Sequence, residues 1–345
     1  MKTVIKQVLG IDVSKKELIV CLGKMDSDLQ VELCAHAAFA NTEKGFAALQ
    51  KWAVKFAFKD LPLQYVMEAT GVYHEALTYF LDSKGEYVSV ILPNKINNYA
   101  RTLTVKTVTD KTASQAIAQF GLSRPLDKWM RPSPVCKKIK QLTRERDQLM
   151  NERTIVKNQL HAEQSEAEPN KFTVNRMKKR IVFLNKQDEE IKKELLKLLK
   201  SDEKIGATVS LLTSITGIGE ITAAIVIAET NCFEHVRNRR QLASYAGLDV
   251  KEKQSGTSVK GKSRISKKGN RYLRKALHMS ALTAIKYDSK FKAVFDRLVA
   301  RHGIKMKAIV AVQRQLLEMM FAVHKTRNRY DPNFMQNQVQ EMKIN

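Results

Sequence analysis

The residues best suited to chemistry in this 345-residue chain lie near its two ends. Toward the C-terminal end, Lys251 to Lys275 reads KEKQSGTSVKGKSRISKKGNRYLRK, with ten Lys or Arg against one acid, Glu252. At its centre stands Ser255-Gly256-Thr257-Ser258, and glycines at 256, 261 and 269 keep the backbone permissive. A hydroxyl in a glycine-punctuated cationic loop suits a phosphate group, either as ligand or as reactant. Lys260, Lys262, Arg264, Lys267, Lys268 and Arg271 are the candidate phosphate contacts. Toward the N-terminal end, Asp12 follows an apolar, β-branched run and Glu68 closes another. Carboxylates crowded at strand ends suit Mg²⁺, a hard cation that takes oxygen ligands. Two such ions can clamp both the attacking and the leaving oxygen of a phosphoryl transfer. A third feature is the turn Gly217-Ile218-Gly219, whose backbone N–H groups at a helix start can hold a phosphate without reading sequence.

These residues need a scaffold, and the N-terminal pattern supplies one. Residues 4–13, 17–23 and 31–39 read as three strands joined by short polar turns. A helix over 41–58 follows, then a strand ending at Glu68, a helix from Tyr73 to Leu81 and a strand over 87–92 halted by Pro93. Helical segments cover 94–103 and 110–121. Three antiparallel strands, a helix, then alternating strand and helix is the order of a ribonuclease H-like fold. In such a sheet the strands carrying Asp12 and Glu68 lie side by side, so both carboxylates meet at one edge.

The middle of the chain is different. From Lys137 to Glu166, Leu142, Leu149 and Val156 recur at seven-residue spacing. After Pro169-Asn170 a second helix carries Met177, Ile181, Leu184, Ile191, Leu195 and Leu198, with Asp188 at one seam position. This pattern predicts an antiparallel helical hairpin with a coiled-coil seam. Residues 205–235 then read as helix, Gly-Ile-Gly turn, helix. Short helices ending at Gly247 and over 270–287, 289–302 and 304–325 complete an all-α region, in which Met306, Met319 and Met320 are expected to fill core. The expected domains are 1–125, α/β and metal-binding; 135–202, the hairpin; 205–330, helical, with the serine loop; and 331–345, a polar tail.

Composition narrows the partners. The formal charge is +25, which points to a polyanion, most simply nucleic acid. No segment approaches the apolar length of a membrane span, and the N-terminus lacks a signal-peptide pattern, so a cytoplasmic, nucleoid-associated protein is expected. Cys21, Cys34, Cys136 and Cys232 are scattered without a CxxC pair and read as reduced thiols.

Several separated motifs occur in order: GID (10–12), MEATGVY (67–73), KTVTDK (106–111), SITGIGEITAA (214–224), LASYAGL (242–248) and SGTSVKGKSRISKKGNRYLRKAL (255–277). Together they resemble the DEDD-type transposases of bacterial insertion sequences, the insertion-sequence one-ten family related to the Piv DNA invertases. The resemblance spans nearly the whole chain. It implies an N-terminal domain similar to the resolvase RuvC, a coiled-coil linker, and a C-terminal transposase domain with a helix-hairpin-helix-like element and a serine nucleophile. It also implies recombination guided by a bridge RNA that pairs with donor and target DNA. The family's first acid falls on Asp12, its second on Glu68, its third on Asp110, and its nucleophile on Ser255. The fourth acid falls on Ala113, which cannot bind metal; Ser114 and Gln115 offer only neutral oxygens. The mechanism so implied joins a Mg²⁺-holding acidic edge to a serine that forms a covalent phosphoserine link. Because strand exchange cuts four strands, a homo-oligomer is expected, a dimer or a dimer of dimers. The competing readings are a metal-dependent nuclease or resolvase that activates water, and a catalytically impaired nucleic-acid-binding paralogue.

Overall fold

In β1 (Val4–Val13) the apolar residues alternate between two helical layers. Leu9 and Ile11 pack toward α1 (Glu43–Phe56) and α2 (Glu75–Ser83), against Phe46, Leu49, Leu77 and Leu81. Val8 packs the other way, with Ile117 and Phe120 of α4 (Asp110–Leu122) and Ile96 of α3 (Pro93–Ala100). The sheet also holds β2 (Glu17–Asp26), β3 (Val31–Ala40), β4 (Leu63–Glu68) and β5 (Tyr87–Ile91), in the order β3-β2-β1-β4-β5. β1, β2 and β3 pair antiparallel, whereas β4 runs parallel to β1 and to β5. The expected strand order is therefore present, with Asp12 and Glu68 on neighbouring strands. α2 starts two residues later than the sequence suggested, because Gly71 takes a left-handed φ of 56° and delays the helix.

The structure is a computed structural model that describes residues 3–332, except 70, 104–106, 108, 235, 253, 256–258 and 262–263; of 254, 255, 259 and 260 it describes the backbone. It divides into two compact units, 1–131 and 132–345.

The second unit begins with α5 (Pro134–Gln164) and α6 (Lys171–Ser201). Asn170 caps α6 by accepting from the amides of Phe172 and Thr173. Leu149 and Val156 of α5 pack with Leu184 and Ile191 of α6, as the spacing predicts. Asp188 is buried at this seam, where Arg146 Nε lies 2.7 Å and Lys192 Nζ 2.9 Å from its carboxylate. The helices α7 (Glu203–Leu212), α8 (Glu220–Thr230), α9 (Arg239–Ala246), α10 (Arg271–Tyr287), α11 (Ser289–His302) and α12 (Lys305–Thr326) surround one core. Ile227, Leu242, Leu277, Leu316 and Met320 belong to it. Met320 is core and Met319 packs against it, but Met306 is 56% exposed, as the second residue of α12, whose first buried residue is Ala308. Cys136 and Cys232 bring their sulfurs within 3.1 Å as free thiols, a pairing that a separation of 96 residues hid from the sequence. Residues 333–345, most of the expected tail, lie outside the described residues. No helix among the described residues is long and apolar enough to cross a membrane.

Candidate active site

Two glycines bring α4 down onto the sheet. A Cβ on Gly10 would stand 2.4 Å from the Ser114 carbonyl oxygen, and one on Gly121 would stand 2.8 Å from Val8 Cγ1 and 3.0 Å from Val66 Cγ2. Val8, Gly10 and Asp12 share one face of β1, and Val66 and Glu68 share the same face of β4. Moving up the strands by two residues moves down α4 by about one turn, from Gly121 through Ala118 and Ser114 to Asp110. The β1–β4 register reaches Ile11 opposite Met67, which puts Asp12 and Glu68 at the next step. Asp110 is the first residue of α4, whose start is fixed by Thr109: its hydroxyl accepts from the Thr112 amide, and the Thr112 hydroxyl accepts from the Thr109 amide. The three sequence-predicted acids thus converge on one edge.

Their electrostatics reflect that crowding. Burial, then the charges of Asp110 and Glu68, push the Asp12 carboxyl up to about 6, opposed only by a hydrogen bond from the Val13 amide. Asp110 gains some relief from the N-terminal end of α4. Among the described residues no three His, Cys, Asp or Glu side chains form a ready-made metal cage. The residues nonetheless fit a hard dication, because like-charged carboxylates crowd together and a cation between them would remove the repulsion. The two residues expected to offer neutral oxygens both make other contacts. The Ser114 hydroxyl is buried and donates to the Lys111 carbonyl, and the Gln115 amide lies 3.3 Å from His36 Nε2. Ala113, one turn beyond Asp110, offers a methyl group.

Ser255 belongs to the second unit, on a hairpin of very short ladders. β6 (Val250–Lys251) pairs with β9 (Arg264–Ile265), and β7 (Gln254–Ser255) pairs with β8 (Val259–Lys260), with Ser255 opposite Val259. The sequence offered a loop here; two-residue strands made of Lys, Gln, Ser and Val carry no alternating pattern to reveal them. The base of the hairpin is closed. Gly247, in the left-handed region at φ 69°, lies against Gly269, where a Cβ would be 2.4 Å from the Gly247 nitrogen. The Lys267 amide donates to the Gly247 carbonyl, the Asn270 amide to the Tyr245 carbonyl, and Ser266 Oγ to Asp249. Arg264, Lys267, Lys268 and Arg271 are exposed around this base, and Arg271 lies 4.9 Å from the Tyr272 ring. Lys262 and the Lys260 side chain lie outside the described residues, as does the Ser255 side chain.

The two glycines of the helix–turn–helix have separate roles. Gly217 has φ 90°, and a Cβ there would meet the Ser280 carbonyl oxygen at 2.5 Å, so this glycine lets the turn press onto α10. Gly219 caps α8 with open space beside it, leaving the first amides of that helix without a side-chain cap. Sequence reasoning passed over one buried group, Glu229 of α8. Its carboxylate accepts from Arg144 Nε at 2.9 Å, Arg144 Nη2 at 3.1 Å and Asn270 Nδ2 at 2.7 Å. Asn270 stands at the start of the helix read over 270–287, but its partner 41 residues away was not legible.

Residues 9–165 match a transposase family model of the DEDD IS110 type, and residues 209–296 match the transposase IS116/IS110/IS902 family. The chain is similar to the pilin gene-inverting proteins of Moraxella lacunata, at 27% identity, and Moraxella bovis, at 26%, over 94% of this chain and 98% of each of those proteins. It is 34% identical to an uncharacterized 43.6 kDa protein of insertion element IS110 from Streptomyces coelicolor, over 33% of this chain and 28% of that one. Among solved structures, RuvC of Thermus thermophilus matches with a TM-score of 0.28 and 12% identity, over 36% of this chain and all of that one. The chain belongs to the IS110-family DEDD transposases.

Proposed function

We propose that this transposase is a Mg²⁺-dependent DNA recombinase whose acidic edge of Asp12, Glu68 and Asp110 serves a phosphoryl transfer begun by Ser255. The observation that carries the metal half is the crowding that raises the Asp12 carboxyl. Mg²⁺, when bound there, would stabilise charge developing on the phosphate. The chain's own residues supply the rest. Ser255 Oγ forms a bond to phosphorus, the bond from phosphorus to the leaving deoxyribose oxygen breaks, and the hydroxyl proton passes to a carboxylate of the acidic edge. The phosphoserine link keeps the bond energy for rejoining. Arg264, Lys267, Lys268 and Arg271, with Lys260 and Lys262, hold neighbouring phosphates, and the open helix start at Gly219 holds another. Donor and target DNA are the substrates, with a bridge-type guide RNA choosing them, and the two sites act within one chain or between chains of a homo-oligomer. Support for Ser255 and for the RNA comes from the motif resemblance.

The match to a DEDD transposase family favours a second reading, in which the acids activate water and no covalent link forms. Ala113 favours a third, a protein that binds nucleic acid without cutting it. A denaturing gel of full-length protein with RNA, labelled donor and target DNA and Mg²⁺ separates them. A protein–DNA adduct that Ser255→Ala abolishes supports the proposal. Hydrolysed ends without adduct support the second reading, and binding without cleavage under any divalent metal supports the third.

A further inference from the structure

We infer that Glu229 is a positioning residue for the serine hairpin, holding the helix before it through its backbone carbonyl and the helix cap after it through its buried carboxylate. This inference rests on the reading of Ser255 given above. The Glu229 side chain is 1% exposed. Its bonds to Arg144 bring in α5, with Lys140 Nζ 3.8 Å from the same carboxylate, and its bond from Asn270 brings in the cap of α10, the helix that follows the hairpin. Its backbone carbonyl accepts from the Tyr245 hydroxyl at 2.8 Å, and Tyr245 lies two residues before the Gly247 that opens the hairpin. Tyr245 and Asn270 are themselves joined through the Asn270 amide. One residue therefore ties the end of α9, which leads into the hairpin, to the cap of α10, which follows it.

Besides these bonds, the described part of the hairpin is fixed by the Lys267–Gly247 and Ser266–Asp249 bonds and by the packing of Leu248 and Ile265 on the core. Its outer ladder is two residues long, Val250 is 58% exposed, and Lys251 and Arg264 are exposed. Its direction is set at the base, where Glu229, Tyr245 and Asn270 act together with the Lys267–Gly247 and Ser266–Asp249 bonds. Asn270 also caps α10 by accepting from the amides of Tyr272 and Leu273, so a change in its hold tilts the hairpin against α10. Burying a carboxylate and a guanidinium is a poor route to stability, since apolar replacements of similar volume often do as well. What the pair adds is direction: two parallel Arg144 bonds and one amide bond fix the carboxylate plane. The Arg144 guanidinium in turn sits 4.7 Å from the Tyr272 ring. Through Arg144, the α5–α6 hairpin and the serine hairpin share one anchor.

The test uses the full-length protein with Mg²⁺, guide RNA and labelled DNA. Glu229→Gln keeps the shape and an acceptor for Asn270 but loses the charge pairing with Arg144. Its rate of adduct formation at saturating DNA is expected to fall about 100-fold, the scale of a small misplacement of a reacting group. Its DNA affinity is expected to stay within about twofold of wild type, since a loss confined to the reacting geometry leaves binding alone. Amide exchange at residues 249–251 and 264–269 is expected to quicken. A folded Glu229→Gln protein with the wild-type rate overturns the inference, as does a variant whose affinity falls while its rate at saturation holds. Should Glu229→Gln fail to fold, Tyr245→Phe removes only the hydroxyl bond and is read by the same three measurements, with an expected drop of about tenfold. If wild type forms no adduct, or Ser255→Ala still forms it, the Ser255 reading fails separately. Amide exchange then decides the matter for Glu229, and unchanged exchange at the hairpin base overturns it.

Discussion

Gly10 lies so close to Ala118 that a Cβ would stand 2.3 Å from the Ala118 amide nitrogen and 2.7 Å from its Cα. The neighbouring atoms are helix backbone, which cannot rotate away. Gly10→Ala must therefore lift α4 from the sheet and carry Asp110 away from Asp12. The expected outcome is a loss of about 3 kcal/mol in the stability of the first unit, from overpacking of a filled site, read by denaturant unfolding. Gly85→Ala is the control. It has nothing within 4 Å and only the strain of φ 79° to bear, so about 1 kcal/mol is expected.

The raised Asp12 carboxyl makes a second prediction, on stability in the absence of divalent metal. The folded protein holds this proton up to about pH 6, whereas the ordinary value is 3.8. The folded state therefore binds the extra proton between those limits, and its stability falls as pH rises through that window. The penalty is absent below the lower limit and complete above the upper. In chelator at pH 7.5, Asp12→Asn is expected to be more stable than wild type by about 1–2 kcal/mol, the full shift being discounted for partial exposure. At pH 3.5 the two should unfold alike. Adding Mg²⁺ at pH 7.5 should reverse the order, because the wild type alone keeps all three carboxylates.

How much of this was legible in the sequence depends on how far apart the partners lie. Asp12 and Glu68 could be placed side by side because strand order alone decides it, and the order was written in apolar, β-branched runs alternating with helical segments. The hairpin seam was legible because Leu149, Val156, Leu184 and Ile191 repeat with the helix. Asp188 stood out as an exception to that repeat, yet only the structure shows that Arg146 and Lys192 accompany it. Glu229 was illegible for the opposite reason. It sits in the apolar run AAIVIAET as an ordinary helical residue, and Arg144 and Asn270 are 85 and 41 residues away. Gly217 read as a phosphate turn because a glycine in a turn looks the same whether it faces a ligand or, as here, a helix backbone.

Asp188 yields a prediction about the seam. A buried ion pair contributes little over an apolar pair, but breaking it strands a charge. Asp188→Leu leaves Arg146 and Lys192, whose side chains are 22% and 29% exposed and can reach water. It is expected to lie within about 1 kcal/mol of wild type. Arg146→Leu leaves Asp188 buried with Lys192 alone and is expected to cost about 2–3 kcal/mol. Thermal unfolding of the two variants checks the asymmetry.

The cations at the hairpin base should appear in salt dependence. If Arg264, Lys267, Lys268 and Arg271 each neutralise one phosphate, replacing all four by Gln lowers the slope of log affinity against log salt by about 3–4 on duplex DNA. The loss should be the same on unrelated sequences, since phosphate contacts carry no sequence. A slope equal to wild type would place the DNA elsewhere on the chain.

Ala113 supplies the last prediction. It lies on the first turns of α4, three residues after Asp110, half-buried and on the helix that carries the third acid to the sheet edge. A carboxylate there would add a fourth like charge near Asp12, offset in part by the helix N-terminus. Without metal, Ala113→Asp is therefore expected to lower stability by about 1 kcal/mol and to push the Asp12 carboxyl further up. With Mg²⁺ the order should invert, because a fourth oxygen ligand raises affinity and affinity adds to stability by mass action. Thermal unfolding across a Mg²⁺ titration reads this directly, and the shift induced by saturating Mg²⁺ should be larger in the variant than in wild type. The strand-cleavage rate at saturating DNA should rise with it if a missing ligand limits this chain. An unchanged Mg²⁺ shift would mean that the site works with the three acids it has, and that position 113 faces no metal.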